Sequence, residues 1–259
     1  MFVRPKKSLG QHFLKDMGIA SDIADTVDAC PGLPILEVGP GTGVLTRFLL
    51  RKGRPLKVVE IDDESVKYLK ANIPALDGHI IEEDFLQMDL GKLFGGQRFV
   101  LTGNYPYNIS SQIFFRLLEH RDTIPCCTGM IQKEVAERLT ACPGSKAYGI
   151  LSVLLQVWYD AEYLFTVDEY VFNPPPKVKS AVIRLTRNTT TEMQCDEQLF
   201  KQVVKTTFNQ RRKTIRNSIK PLADEKNIPE GFLGLRPEQL TIEDFVQLTN
   251  HVYAARRSR

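Results

Sequence analysis

At 259 residues, the chain exceeds one ordinary α/β domain of about 200 residues or fewer and leaves room for a second, smaller one. Hydrophobic residues at 42% and charged residues at 25% can close a core and keep a solvated surface, which excludes an intrinsically disordered chain, and a net charge of +3 is too small for a uniformly basic one. No run approaches the roughly 20 apolar residues that cross a bilayer, and the basic start MFVRPKKSLGQHFLK has no apolar segment behind it, so neither a membrane span nor a secretory leader is expected.

In chain order, Asp16 is placed to cap a helix over 17–29, where Ile19, Ile23 and Val27 recur at helical spacing. PILEV at 34–38 reads as a short apolar strand, followed by a glycine-rich turn and a helix through Val44, Leu45, Phe48 and Leu49. LKVVEI at 56–61 is the next strand, with a helix over 63–72 that Asp62 and Asp63 cap, and HIIEE at 79–83 the third. RFVLTG at 98–103 precedes a helix near 110–120, and CCTGMI at 126–131 follows it. Strands alternating with helices make a mostly parallel sheet covered on both faces. After a helix over 148–158, AEYLFTV and KVKSAVIRL follow one another without a helix, which predicts an antiparallel hairpin at the edge of a seven-stranded sheet. The polar, aperiodic stretch RNTTTEMQCD at 187–196 marks a boundary, giving domains 1–187 and 188–259. Beyond it, apolar residues at helical spacing, broken at Pro221, Pro229 and Pro237, predict a small all-helical unit.

Charge is segregated along this layout. Arg4, Lys6, Lys7 and Lys15, then Lys201, Lys205, Arg211, Arg212, Lys213, Arg216 and Lys220, then Arg256, Arg257 and Arg259 occupy three runs with no acid. They take 14 of the 34 basic residues, leaving 20 against all 31 acids and the rest of the chain at −11. One such run is ordinarily a solvated face; three together suggest a polyanion-binding surface on an acidic body. The five cysteines (Cys30, Cys126, Cys127, Cys142, Cys195) are odd in number and lack metal-ligand spacing, so they read as reduced thiols of a cytoplasmic protein without a metal site.

Chemistry concentrates at strand ends. Glu37-Val38-Gly39-Pro40-Gly41-Thr42-Gly43 joins the first strand to its helix, where glycines let a ligand approach the backbone and leave helix N–H groups for an anion. Glycines after a strand are most often a tight turn, but the spacing here is G-x-G-x-G, with Val44 at the third position of the dinucleotide fingerprint, which suits a small carboxylate better than a pyrophosphate. Glu60, 21 positions beyond Gly39, falls at the tip of the neighbouring strand, where an acid accepts the ribose hydroxyls of an adenosine-containing cofactor. Asp84, after the third strand, is placed for that cofactor's adenine amine. Asn104-Tyr105-Pro106-Tyr107 follows the fourth strand. An exocyclic adenine amine is a poor nucleophile because its lone pair is delocalised, so methylating it calls for acceptors aimed at its hydrogens. The Asn104 carbonyl and the backbone carbonyl before Pro106 supply two, and Tyr107 a ring for a flipped base. An Asn-Pro turn with packed tyrosines is the plainer alternative.

KKSLGQHFLKD, EVGPGTGVLT, EID, Asp84, GNYPYNIS, QKEVAERL, FNPPPKVKSAVIRL and FNQRRKTIRNSI occur in the order found in KsgA-type ribosomal RNA adenine dimethyltransferases, which the chain resembles over essentially its whole length. The resemblance implies a Rossmann-like α/β methyltransferase fold and S-adenosyl-L-methionine as cofactor, held by His12, Leu14, Glu37, Gly39, Gly41, Gly43, Glu60, Asp84 and Asn104. It implies catalysis by Asn104, Pro106 and Tyr107, with Phe172 closing over the target base opposite Tyr107. Two adjacent adenosines in the 3′-terminal hairpin loop of small-subunit 16S rRNA are the implied substrate, and a monomer working on the small ribosomal subunit the implied state. Arg4, Lys6, Lys7, Lys205, Arg211, Arg212, Lys213 and Arg216, the last five on one basic helix around 200–220, are the expected phosphate contacts. His12 stands where some members have Asn, and Tyr105 where many have Leu. The competing readings are an Erm-type enzyme acting on 23S rRNA, a protein-glutamine methyltransferase, and a ribosome-assembly factor whose binding outweighs its catalysis.

Overall fold

The structure is a computed structural model, and it describes residues 3–257; Arg259 of the basic tail lies outside them. The chain divides into two compact units, one running to Ala136 and including Asp160–Arg187, the other made of Glu137–Tyr159 and the chain from Asn188.

In the first unit the elements alternate as β1 (Phe13–Leu14), α1 (Met17–Asp25), β2 (Ile35–Val38), α2 (Val44–Leu50), β3 (Leu56–Val59), α3 (Asp63–Asn72), β4 (Ile80–Ile81), β5 (Val100–Thr102), α4 (Ser110–Glu119) and β6 (Cys126–Gln132). Next come α5 (Lys133–Leu139) and α6 (Ile150–Gln156), then β7 (Tyr159–Val167), β8 (Phe172–Asn173) and β9 (Ser180–Arg187). One seven-stranded sheet has the order β4-β3-β2-β5-β6-β9-β7. β2, β3 and β5 are wholly or almost wholly buried, which is why they read as unbroken apolar runs rather than alternating ones. The Asp16 carboxylate caps α1 by accepting the Ile19 N–H at 3.0 Å. The α-helix ends at Asp25, earlier than the periodicity suggests, because its last turn tightens to a 3₁₀ helix over Thr26–Ala29.

Register fixes the site. Val38 is level with Val59, and Glu37 with Thr102, so Gly39, Glu60 and Asn104 emerge side by side at the carboxyl edge. Ile81 is level with Val59, which brings Asp84 to the same edge. Between β2 and β5 the strand order reverses, the switch point where open α/β sheets bind ligands. The edge hairpin is present, but its second strand turns inward: β9 pairs antiparallel with β6 from Cys126↔Thr186 to Gln132↔Ser180, and β7 takes the rim. A second, two-stranded antiparallel sheet pairs β1 with β8, an arrangement without a local sequence signal.

The second unit contains α6 together with α7 (Glu197–Asn209), α8 (Ile215–Ser218), α9 (Glu230–Leu233) and α10 (Ile242–Arg257). Phe245 packs against Phe200 and Phe208 with ring centroids 6.5 and 5.8 Å away, and Tyr148 meets Phe208 edge-on at 6.1 Å. That last contact, with the Arg211 guanidinium donating to the Ser145 carbonyl at 3.3 Å, ties 137–159 to this unit, where the expectation was a catalytic segment continuous to 187. The single basic helix over 200–220 is corrected as well. α7 ends at Asn209, and Gln210–Lys213 form a turn before α8, since four consecutive polar or cationic residues offer no apolar face to pack. Among the described residues, no helix is long and apolar enough to cross a membrane.

Candidate active site

A cleft of about 880 Å³, counting its open mouth, lies at the carboxyl edge of the sheet. Of the expected residues it is lined by His12, Gly39, Gly41, Glu60, Asp84, Asn104, Pro106 and Tyr107. Gly41 has φ +56°, and a Cβ there would stand 2.8 Å from the Phe13 ring, so only glycine lets the N-terminal arm approach the turn. Gly43, at φ +74°, does not line the cleft, and a Cβ on it would meet the Ile73 side chain at 2.3 Å.

Glu60 is buried, and each of its carboxylate oxygens accepts one backbone N–H, Oε2 from Gly41 at 3.1 Å and Oε1 from Asp62 at 2.9 Å. Burial raises its pKa, opposed by those two bonds, and each oxygen keeps a lone pair for a hydroxyl. Asp84 accepts the Leu86 N–H at 2.9 Å through Oδ1 and borders the cleft. Glu37 does not line this cleft. With Leu14 it borders a smaller recess beneath the glycine turn, and the Thr46 hydroxyl donates to it at 2.7 Å. Burial pushes its carboxyl up to about 8, against the Thr46 bond and with the help of the Glu60 charge. Asp62 stands at the N-cap of α3, but its carboxylate accepts from the Ser65 hydroxyl at 2.8 Å rather than from the helix backbone.

Asn104 is held from both sides. The Tyr105 N–H bonds to Met130 O at 3.0 Å and the Met130 N–H to Gly103 O at 2.9 Å, while the Asn104 amide donates to the His12 carbonyl at 2.9 Å. One N–H of the amide is thereby used, which fixes its orientation and leaves Oδ1 as the acceptor end. Tyr105 is buried, with its hydroxyl on Thr128 O at 2.8 Å and its ring edge-on to Phe114, so the residue that departs from the family pattern anchors the motif to β6 and α4. Tyr107 bonds through its hydroxyl to Ser180 and stacks on His12 with centroids 5.3 Å apart, while His12 Nδ1 lies 2.8 Å from Pro174 O. Burial raises the Tyr107 pKa, with the Ser180 bond opposing it.

The resemblance sets Phe172 over the target base opposite Tyr107. It is 1% exposed, paired with Leu14 and part of the hydrophobic core, and it does not line the cleft; His12 is the ring beside Tyr107. The basic residues divide too. Arg4, Lys7, Lys205, Arg212 and Lys213 are exposed. Lys6 is bonded to Asp62, Arg211 donates to Ser145 O at 3.3 Å, and Arg216 pairs with Glu230 at 2.7 Å, so these three already serve internal partners. Gln11, Ile61, Leu86 and Ser180 belong to the site or its support and escaped the sequence reading. Ile61 carried a signal: it directly follows the acid at a strand tip, and it is 53% exposed at a cleft edge, as a contact for a flat ring would be. No group of three or more His, Cys, Asp or Glu among the described residues could hold a metal ion.

A doubly wound sheet with an acceptor-rich Asn-Tyr-Pro-Tyr edge at its switch point is the framework of an S-adenosylmethionine-dependent methyltransferase. The model of the family described as "Ribosomal RNA adenine dimethylase" matches residues 3–250, and the chain belongs to that family. It is 69% identical over 256 residues to the "Ribosomal RNA small subunit methyltransferase A" of Bacteroides thetaiotaomicron, covering 98% of this chain and 96% of that protein. The protein so named from Phocaeicola vulgatus is 67% identical over 259 residues, with 99% and 92% covered. Among solved structures, a dimethyladenosine transferase from Plasmodium falciparum superposes with TM-score 0.74 at 25% identity, over 92% of this chain and 96% of that one. The 23S rRNA methyltransferase ErmE gives 0.70 at 28% identity, over 93% and 99%.

Proposed function

We propose that this protein dimethylates N6 of two adjacent adenosines in the 3′-terminal hairpin loop of 16S rRNA, as a cytoplasmic monomer acting on the small ribosomal subunit without a metal ion. The bond from the Asn104 amide to the His12 carbonyl carries the chemical part, because it commits the side chain to presenting an acceptor. The residues suit the cofactor: a buried carboxylate with spare lone pairs at Glu60, a backbone turn opened by Gly41, and Asp84 beside the exposed Ile61. Glu60 would hold the ribose hydroxyls and Asp84 the adenine amine. S-adenosylmethionine, when bound, supplies an electrophilic methyl group.

Asn104 Oδ1 and the Tyr105 carbonyl accept the two hydrogens of the target amine and localise its lone pair. The nitrogen becomes acidic as it is alkylated, so no strong base is required of the protein. Tyr107 offers its ring to an unstacked base, and a hairpin loop is where bases unstack at least cost. Arg4, Lys7, Lys205, Arg212 and Lys213 supply phosphate contacts. Support for the small subunit comes from the relatives so named at 67–69% identity, against 28% for ErmE. Incubating the protein and S-adenosylmethionine with unmethylated small subunits or with naked 23S rRNA, then mapping N6,N6-dimethyladenosine by mass spectrometry, tests this. Modification of the paired adenosines in 16S rRNA is expected; product in 23S rRNA alone would replace this reading with the Erm type.

A further inference from the structure

Lys6, which the charge pattern assigned to RNA, faces the other way. Its ammonium is bonded to Asp62 Oδ1 and lies 3.4 Å from Glu64 Oε1. Gln11 follows on the same arm: its Nε2 donates to Asp62 Oδ2 at 3.3 Å, and its Oε1 accepts the Lys6 backbone N–H at 2.9 Å. Between and just beyond these two residues, Leu9, Gly10, His12 and Phe13 form one wall of the cofactor cleft. Asp62 itself donates its N–H to Glu60 Oε1 at 2.9 Å. One residue therefore joins the arm to the acid that faces the cofactor.

The contact differs from an ordinary surface ion pair, which contributes about 0–1 kcal/mol. The Asp62 side chain is 1% exposed and takes donors from Lys6, Gln11 and Ser65, so removing Lys6 strands a buried charge. Burial pushes the Asp62 carboxyl up, but the bonds from Lys6, Ser65 and Gln11 outweigh it and hold the group below the usual carboxylate range. The bond to Asp62 also holds the Lys6 ammonium above its ordinary value, so both partners are charged at neutral pH.

We infer that Lys6 and Asp62 are positioning residues for cofactor capture: through them and Gln11 the arm is clamped over the cleft, and the Asp62 N–H aims the Glu60 carboxylate. Lys6 does not line the cleft and acts through Asp62. The inference rests on the reading that Glu60 and the arm form the cofactor pocket. Cofactor release then requires the clamp to open, which places its effect on the dissociation rate.

The test uses full-length Lys6→Met, Lys6→Arg, Asp62→Asn, the Lys6→Met/Asp62→Asn double variant, and Glu60→Ala. Calorimetry and stopped-flow dissociation report on S-adenosylmethionine, and a salt titration reports on rRNA. Lys6→Met should raise the cofactor Kd roughly tenfold, mostly through faster release. Lys6→Arg should stay within about threefold of wild type, because it keeps a cation that can reach the same carboxylate. The double variant should bind no more weakly than the weaker single one, since both break the same contact. The cofactor KM should rise while kcat at saturating cofactor falls by less than about threefold, a split that general loosening of the fold would not give. A wild-type cofactor Kd in Lys6→Met, with weaker rRNA binding and a shallower salt slope, would overturn the clamp and return Lys6 to RNA. Lys6 is partly exposed, and a melting curve checks its fold, so Lys6→Met decides the matter even where Asp62→Asn does not fold. Normal affinity in Glu60→Ala would reject the pocket and the clamp together; loss there, with no change in Lys6→Met, rejects the clamp alone.

Discussion

Residues 4–7 and 211–216 are both short cationic runs, and each commits part of its charge to partners within its own unit, but to different ends. In the arm, Lys6 reaches a carboxylate that is itself bonded to a cleft acid, whereas Arg216 pairs with Glu230 and Glu225 on the surface of the helical unit. Glu60, Asp62 and Tyr105 at the cleft are buried and hydrogen-bonded; the cations left over at Arg4, Lys7, Arg212 and Lys213 face solvent. A basic run is thus a poor guide to an RNA footprint until its internal partners are subtracted. The difference also sorts the two regions by expected response, with large, salt-insensitive losses at the cleft and modest, salt-dependent ones on the exposed cations.

The largest effect should come from Asn104→Ala. Removing an acceptor that matters as the amine changes hybridisation should cut single-turnover methylation by roughly 10²–10³-fold with rRNA affinity nearly intact. A wild-type rate would break the contrast at its strongest point. Glu60→Ala comes next: losing two hydrogen bonds to a charged acceptor, at about 1.5–3 kcal/mol each, should weaken S-adenosylmethionine by about 100-fold or more in calorimetry, at low and high salt alike.

A third effect concerns pH. The Glu37 carboxyl has its folded pKa raised to about 8 from an ordinary 4.5, mainly by burial. Between those values the folded state binds more protons than the unfolded one, so stability falls as pH rises through that window, by up to about 1.4 kcal/mol per unit. Glu37→Gln has no carboxyl to titrate and can still accept from Thr46, so its melting temperature should vary less than wild type between about pH 5 and pH 8. Equal slopes would show that the group is not held neutral. The smallest effect belongs to the other region. Arg212→Glu with Lys213→Glu should weaken small-subunit binding roughly tenfold and remove up to about 0.9 per lost contact from the slope of log K against log salt, leaving cofactor affinity alone. Arg216→Ala should scarcely move that slope, and a large change there would erase the distinction between paired and free cations.

The sheet was legible because its strands are apolar runs bounded by turns, and its chemistry because parallel strands deliver their next residues to one edge. Gly39, Glu60, Asp84 and Asn104 needed only that rule and their spacing. What escaped depends on contacts between distant segments. Two-residue strands such as Phe13–Leu14 carry no period, so neither the small sheet nor the burial of Phe172 within it can be read locally. Lys6 has its partner 56 residues away. Gly43 shares the turn with the cleft-lining Gly39 and Gly41, but the constraint on it that comes from Ile73 lies 30 positions away and cannot be read locally. The membership of 137–159 in the helical unit is decided by Tyr148 meeting Phe208, a residue 60 positions further on.

The Asn104 amide is held by the main-chain carbonyl of His12, and every residue type has that carbonyl. Position 12 is therefore free to drift in side chain without disturbing the acceptor, in keeping with the Asn that some members of the family carry there. Alignment is what the arm must conserve. A single inserted or deleted residue between Lys6 and Phe13 would bring the wrong carbonyl to Asn104 and turn the Phe13–Leu14 pair over. At position 12 the arm tolerates a change of side chain, at Lys6 and Gln11 it is tied to Asp62, and between Lys6 and Phe13 it does not tolerate a change in length, so its history should be one of a fixed count.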